Sequence, residues 1–204
     1  MTMACSRSRL LALSCLCLAA LAVLTGCGAG TGANSSSGTT SSGANQEVNP
    51  AGDIPDDQAF VPYPWPAGGF SVTVPEGWAR TESGGAVIFT DKLNSVRIET
   101  ASLASAPTVD SVRAGELPTI ESTVTNFGAG DVVGVARTSG EAVLITYAGD
   151  SAPDPVTGRT VTDSFERYEF WNNGVEVILT LSGPQGADNV DPWRTVTDSL
   201  QWLP

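Results

Sequence analysis

No histidine occurs anywhere in the 204 residues. That removes the Ser-His-Asp triad, the Cys-His pair, the His-x-x-x-His zinc site and the imidazole general base. Carboxylate, aromatic and thiol chemistry remain. Asp150 and Asp154 share the loop "GDSAPDPVTGRT" with Arg159, and Asp188 and Asp191 lie in "GADNVDPW". Either carboxylate pair could serve calcium, a hard ion that takes several oxygen ligands. Neither follows the EF-hand spacing. The same residue types are what a polar turn and a helix cap use, so those two roles compete with metal binding. A two-carboxylate hydrolase would need a fixed pair across a cleft, which spacing alone does not establish. Tyr63 and Trp65 in "PYPWPAGG" and Trp171 beside an Asn-Gly pair are the candidate contact aromatics, because Trp and Tyr are favoured binding anchors. The competing role for Tyr63 and Trp65 is a strap packed on the domain. Gly84-Gly85 and Gly128-Ala129-Gly130 open no phosphate loop, for no Lys-Ser/Thr and no GxGxxG pattern follows.

The four cysteines are Cys5, Cys15, Cys17 and Cys27. Arg7 and Arg9 precede an uncharged apolar run over residues 10–24. That run would span roughly 22 Å as a helix, short of the about 30 Å of a bilayer core. A basic start, a short apolar run and small residues at its end predict a signal peptide over 1–26. Leu24-Thr25-Gly26-Cys27 resembles the lipobox of bacterial lipoproteins. The resemblance implies cleavage between Gly26 and Cys27 and a diacylglyceryl thioether on Cys27. It also implies acylation of the new amino group, and two or more chains hold a protein stably at a membrane. The expected mature chain then has Cys27 as its single thiol, with no intramolecular disulfide and no multi-thiolate zinc site. All 22 acidic residues follow Cys27, but only eight of the ten basic ones do, so the mature part carries a net charge of −14. This argues against a nucleic-acid partner and fits an exported soluble body.

Residues 28–45 are almost wholly Gly, Ser, Thr, Ala and Asn, the composition of a flexible linker. Residues 46–57 add Pro and acid without periodicity, so the tether is expected over 27–58, with an r.m.s. reach of roughly 30 Å. One domain is expected over 59–204. Alternation predicts strands at 70–74, 86–90, 95–103, 131–137, 141–148, 164–171 and 175–182. Asn172-Asn173-Gly174 is a hairpin signal. Residues 108–126 have helical spacing, with a break or kink expected at Pro118. A second helix is expected after Asp191 as cap and Pro192 as first residue. Trp78, Trp193 and Trp202 fall in core-facing patterns. The predicted class is α+β: a twisted antiparallel sheet of about six or seven strands with helices packed on it.

"GFSVTVPEGW" (69–78) resembles the opening hairpin of PsbP/Mog1-like domains. "FERYEFWNNGVEVILTLSG" (165–183) is similar to their late hairpin, and "WRTVTDSLQW" (193–202) to their closing helix. The same order resembles the LpqN-type lipoproteins of actinobacteria, which join such a domain to a lipobox. The resemblance implies an antiparallel sheet between helices and a non-catalytic docking or accessory module for a protein partner or membrane complex. It implies no cofactor, no metal and no catalytic residue. With the lipobox it implies a lipid-anchored protein on the extracytoplasmic face of a cell membrane. A small-molecule or calcium-binding lipoprotein is the alternative that the residues leave open, and a carboxylate-only hydrolase is the third.

Overall fold

The structure, a computed structural model, describes residues 51–154 and 156–204. The signal peptide, Cys27 and the linker up to residue 50 lie outside the described residues. No helix among the described residues is long and apolar enough to cross a membrane.

The chain enters through Gly52 and Ile54, then forms β1 (Phe60–Pro64) and β2 (Phe70–Pro75). It continues through β3 (Ala79–Ser83), β4 (Ala86–Asp91) and β5 (Asn94–Ser102), then α1 (Val109–Ala114) and α2 (Glu116–Thr123). Four long strands follow: β6 (Gly128–Arg137), β7 (Gly140–Asp150), β8 (Thr162–Asn172) and β9 (Val175–Pro184). Helix α3 (Val190–Asp198) and the short β10 (Gln201–Trp202) close the chain. Seven strands make one antiparallel sheet in the order β3-β4-β5-β9-β8-β7-β6. Strands β1, β2 and β10 make a second sheet.

The fold is therefore the expected α+β class, with one difference in layout. The strand expected at 70–74 does not join the large sheet. Phe70, Val72 and Val74 instead face a core shared with Val96, Ile98, Tyr168, Phe170, Val177, Leu179, Leu181, Trp193, Val196 and Leu200. Burying each such side chain contributes roughly 1.5–3 kcal/mol. Trp78 and Trp202 pack at its margin. The other face of the large sheet is covered in part by α1 and α2. Val112 and Ile120 from the helices meet Val132, Val143, Ile145 and Tyr147 from β6 and β7.

Local chemistry explains the breaks. Asn173 and Gly174 have φ of 48° and 88°. They form the two-residue turn that pairs Asn172 with Val175, the geometry Asn-Gly favours. Pro118 does not break the first helical segment. The break is at Gly115, which ends α1 and precedes α2. Pro118 lies in the first turn of α2, where a helix has free N–H positions and tolerates proline. Thr108 caps α1 reciprocally with Ser111. Asp191 is not the cap of α3. The helix starts two residues earlier than expected, at Val190, Asn189 is its first flanking residue, and Asp191 and Pro192 lie in its first turn.

The ordered body also starts before residue 59. Ile54 is 5 % exposed. Its N–H donates to Asn189 Oδ1 at 2.8 Å. The Gly52 carbonyl accepts from Asn94 Nδ2 at 2.9 Å and from Asn189 Nδ2 at 3.1 Å, and Asn189 Nδ2 also donates to Asn94 Oδ1 at 2.9 Å. A tether running to residue 58 is thus too long, because residues 52–54 are held in the fold by two buried amides. Gly52 has φ of 103°, and a Cβ there would meet Pro184 at 2.5 Å, so only glycine fits this entry point.

Candidate binding face

Alternate residues of β5, β9 and β8 point away from the main core, onto the sheet face that α1 and α2 share. Arg97, Thr180, Arg167 and Ile145 form one cross-strand row. Glu99, Ile178, Glu169 and Val143 form the next, and Ala101, Glu176 and Trp171 the one after. Two arginines and three glutamates therefore sit on the interior strands of a sheet, joined by Glu116 from α2.

Arg167 is the hub. Its Nη2 donates to Glu116 Oε1 at 2.6 Å and its Nε to Glu169 Oε1 at 3.2 Å. Its Nη1 lies 3.8 Å from Glu99 Oε2. Arg97 Nη2 donates to Glu99 Oε1 at 2.8 Å. That bond holds the Glu99 carboxyl below the usual carboxylate range against the pull of burial. Glu169 is the opposite case. It is 3 % exposed, and burial pushes its carboxyl up to about 7. Arg167 draws it back, while Glu176 and Glu116 push it further up. Glu176 is 8 % exposed and accepts no hydrogen bond from a described residue. Burial raises its carboxyl too, partly countered by Arg167. Unpaired buried carboxylates are costly, and a protein keeps them ionised only with compensation.

Next to this network lies an open cleft of ≈ 200 Å³. Residues 106–109 before and at the start of α1 form one wall. Gly134, Glu141 and Val143 form the floor, and Glu169 and Trp171 the other wall. The indole N–H of Trp171 donates to the Leu103 carbonyl at 2.8 Å, which fixes the ring.

The predicted site residues do not converge. Trp171 alone joins this face. Tyr63 packs edge-on against Phe89 with ring centroids 5.1 Å apart, and its hydroxyl accepts from Arg80 at 3.3 Å. Trp65 stacks on Phe70 at 5.4 Å and borders a separate open cleft of ≈ 350 Å³ with Glu82 and Gly85. Both aromatics are packed on the body: Tyr63, in β1 of the small sheet, against Phe89 of the large sheet, and Trp65, just past β1, on Phe70 of β2. Asp150 accepts from Asn126 Nδ2 at 3.0 Å. Asp154 accepts from the N–H groups of Val156 and Thr157 and the Thr157 hydroxyl. Those bonds hold its carboxyl below the usual range. Arg159 is exposed, and its carbonyl accepts from the Asp154 N–H at 2.9 Å. The loop's acids are engaged by their own turn and by a neighbouring one. Among the described residues, no group of three or more Cys, Asp or Glu side chains is placed to hold a metal ion.

Arg167, Glu169 and Glu176 are absent from the sequence expectations. The signal was present in "FERYEFWNNGVEV". Tyr168 and Phe170 alternate with Arg167, Glu169 and Trp171, and a central strand covered on both faces cannot leave its polar face in water.

No family model matches the sequence, and no curated protein sequence matches it. Solved structures do match. The chain is similar to cyanobacterial PsbP (CyanoP) from Synechocystis, with a TM-score of 0.50, 14% identity, and coverage of 72% of this chain and 94% of that one. It is also similar to Mog1p, a Ran-binding protein of Saccharomyces cerevisiae, with 0.45, 9%, 71% and 95%. LpqN of Mycobacterium tuberculosis, a protein involved in cell envelope biogenesis, matches with 0.43, 15%, 73% and 93%. The chain spans about half, 48%, of a Bacteroides thetaiotaomicron protein that it matches with 0.48 and 15% identity over 70% of its own length. The fold is PsbP-like, on the likeness to CyanoP. At these identities the likeness carries the fold and no residue role.

Proposed function

We propose that this chain is a lipid-anchored, extracytoplasmic, non-catalytic docking module for a protein partner in the cell envelope. Cys27 carries the lipid, the Gly/Ser/Thr-rich segment spaces the domain from the membrane, and the sheet face around Glu169 and Trp171 is the recognition surface. The observation that carries the reading is that face. It keeps two poorly paired carboxylates beside an open cleft. A histidine-free chain offers no Ser-His or Cys-His pair there. The anchor half rests on the lipobox, and the PsbP-like fold is compatible with a module that presents a surface.

Photo-crosslinking tests this in the full-length protein in its own membrane. A crosslinker at position 141, on the cleft rim, should capture a discrete protein, whereas one at position 82, on the far edge strand, should not. Cys27→Ala should release the protein from the membrane fraction and abolish the crosslink at native concentration. Turnover of an envelope substrate that is lost in Glu169→Gln would replace the docking reading with a hydrolase.

A further inference from the structure

We propose that the cleft beside Trp171 receives a single cationic side chain, lysine or arginine, from the partner protein. The choice of a protein side chain rests on the docking reading above; the choice of a cation rests on the cleft itself.

Size comes first. Drug-sized ligands fill about 300–1,000 Å³, and this cleft is ≈ 200 Å³, room for one long side chain. Gly134 keeps it open. A Cβ added there meets no atom within 4 Å, so the chain's own packing does not demand glycine at this strand position. Glycine within a strand often marks the approach of another group.

Charge decides the class. Glu169 lines the cleft, nine-tenths buried and more. One of its oxygens is taken by Arg167 Nε, and the other accepts no hydrogen bond from a described residue. Glu176 lies in register beside Trp171, also more than nine-tenths buried and without a described hydrogen-bond partner. Glu141 stands exposed on the rim. The cations of the surrounding elements already have partners. Arg97 is on Glu99, Arg167 is on three carboxylates, and Arg113 of α1 donates to the Val132 carbonyl at 3.0 Å. The acids beside them are Glu99 on β5, Asp110 on α1 and Glu116 on α2. The N-terminus of α1, which would repel a cation, is closed on itself by the Thr108–Ser111 bonds. An incoming ammonium or guanidinium would find the free Glu169 oxygen and an indole held by its N–H, the two features that bind cations through charge and π-face. Because burial pushes Glu169 up to about 7, binding should strengthen as pH rises through neutrality.

The test uses the full-length protein in detergent micelles, labelled with 5-fluorotryptophan and observed by fluorine NMR. The Trp171 signal is assigned with Trp171→Phe. N-acetyl-lysine-methylamide and N-acetyl-arginine-methylamide are titrated against N-acetyl-alanine-methylamide at constant ionic strength. The charged probes should move the Trp171 signal saturably, at least about tenfold more weakly at pH 5.5 than at pH 8. Gly134→Leu should abolish the shift by filling the cleft, and Glu169→Gln should weaken it about tenfold or more. The other tryptophan signals report that each variant is folded. No shift at Trp171, or an unchanged titration in folded Gly134→Leu, overturns the proposal. Binding of free n-butylammonium without binding of the lysine amide overturns the side-chain occupant. A positive titration without any crosslinked partner would sink the docking reading and leave the cleft's chemistry standing.

Discussion

Two buried polar clusters lie on opposite faces of the large sheet, and they are built differently. On the core face, Asn94 and Asn189 are neutral and mutually bonded, and they are satisfied by Gly52 and Ile54. On the other face, Arg167 gathers carboxylates, yet Glu169 keeps one oxygen free and Glu176 has no described partner. The first cluster closes the structure upon itself. The second leaves bonding capacity unused, and one of its members, Glu169, lines a cleft. Satisfied buried polar groups specify a fold, and unsatisfied ones demand an explanation.

The sharpest way to break this contrast is at the closed cluster. Asn189→Ala removes three buried hydrogen bonds and orphans the Ile54 N–H and Asn94 Oδ1, while Asn94 Nδ2 still holds the Gly52 carbonyl. It should cost about 3 kcal/mol, read as a lower urea midpoint at unchanged slope. A loss below about 1 kcal/mol would mean that residues 52–54 are not held as described.

The open cluster should respond to pH in the opposite sense from an ordinary ion pair. The folded carboxyls of Glu169 in that cluster and of Asp163, a separate buried residue near the start of β8, are raised to about 7 and about 6, chiefly by burial. The folded state therefore holds more protons than the unfolded one between about pH 4 and these values. Stability is highest at the acid end of that window and falls as pH rises through it, by on the order of 3 kcal/mol from pH 5 to 8. Urea titrations at both pH values check the slope, and Glu169→Gln should flatten most of it. A stability that rises with pH over this interval would refute the raised carboxyls.

Glu176→Gln should leave the protein unchanged or more stable by about 1 kcal/mol at pH 8, since it deletes a buried charge without breaking a bond. Circular dichroism melts distinguish this from the loss expected if Glu176 were structurally paired. The smallest effect belongs to the β7–β8 loop. Asp154→Asn should lower the thermal midpoint slightly, and equally with or without saturating calcium, because Asp154 serves its own turn. A calcium-dependent rise would reopen the alternative reading of that loop.

Much of the architecture was legible because it is written in short-range patterns. Alternation located the long strands, and Asn173-Gly174 located a hairpin. Three strands carry no such pattern. Phe60–Pro64 is interrupted by prolines and lies at a sheet edge, where proline is tolerated. Ala79–Ser83 is exposed along its whole length and so has no buried face to alternate. Gln201–Trp202 has only two residues. The boundary near residue 58 failed because what holds Ile54 is an asparagine 135 positions away, and no local pattern carries a contact of that range. The candidate site was half legible for the same reason. Trp171 stands out by type. Glu169 and Glu176 become a site only when β8 and β9 pair and α1 walls the cleft.

The two amides at the entry also have a mechanical meaning. Any pull on the chain ahead of residue 51 loads the Gly52 carbonyl and the Ile54 N–H before it reaches a strand. Those bonds connect to Asn94 at the start of β5 and Asn189 before α3, so the load spreads to two distant points of the body. If they yield first, the segment up to Ala59 peels away and releases about 30 Å of chain while the sheets stay intact. A force trace of the full-length protein should then show one short step ahead of global unfolding, and Asn189→Ala should erase it. The point of entry would act as a fuse, giving up length before it gives up structure.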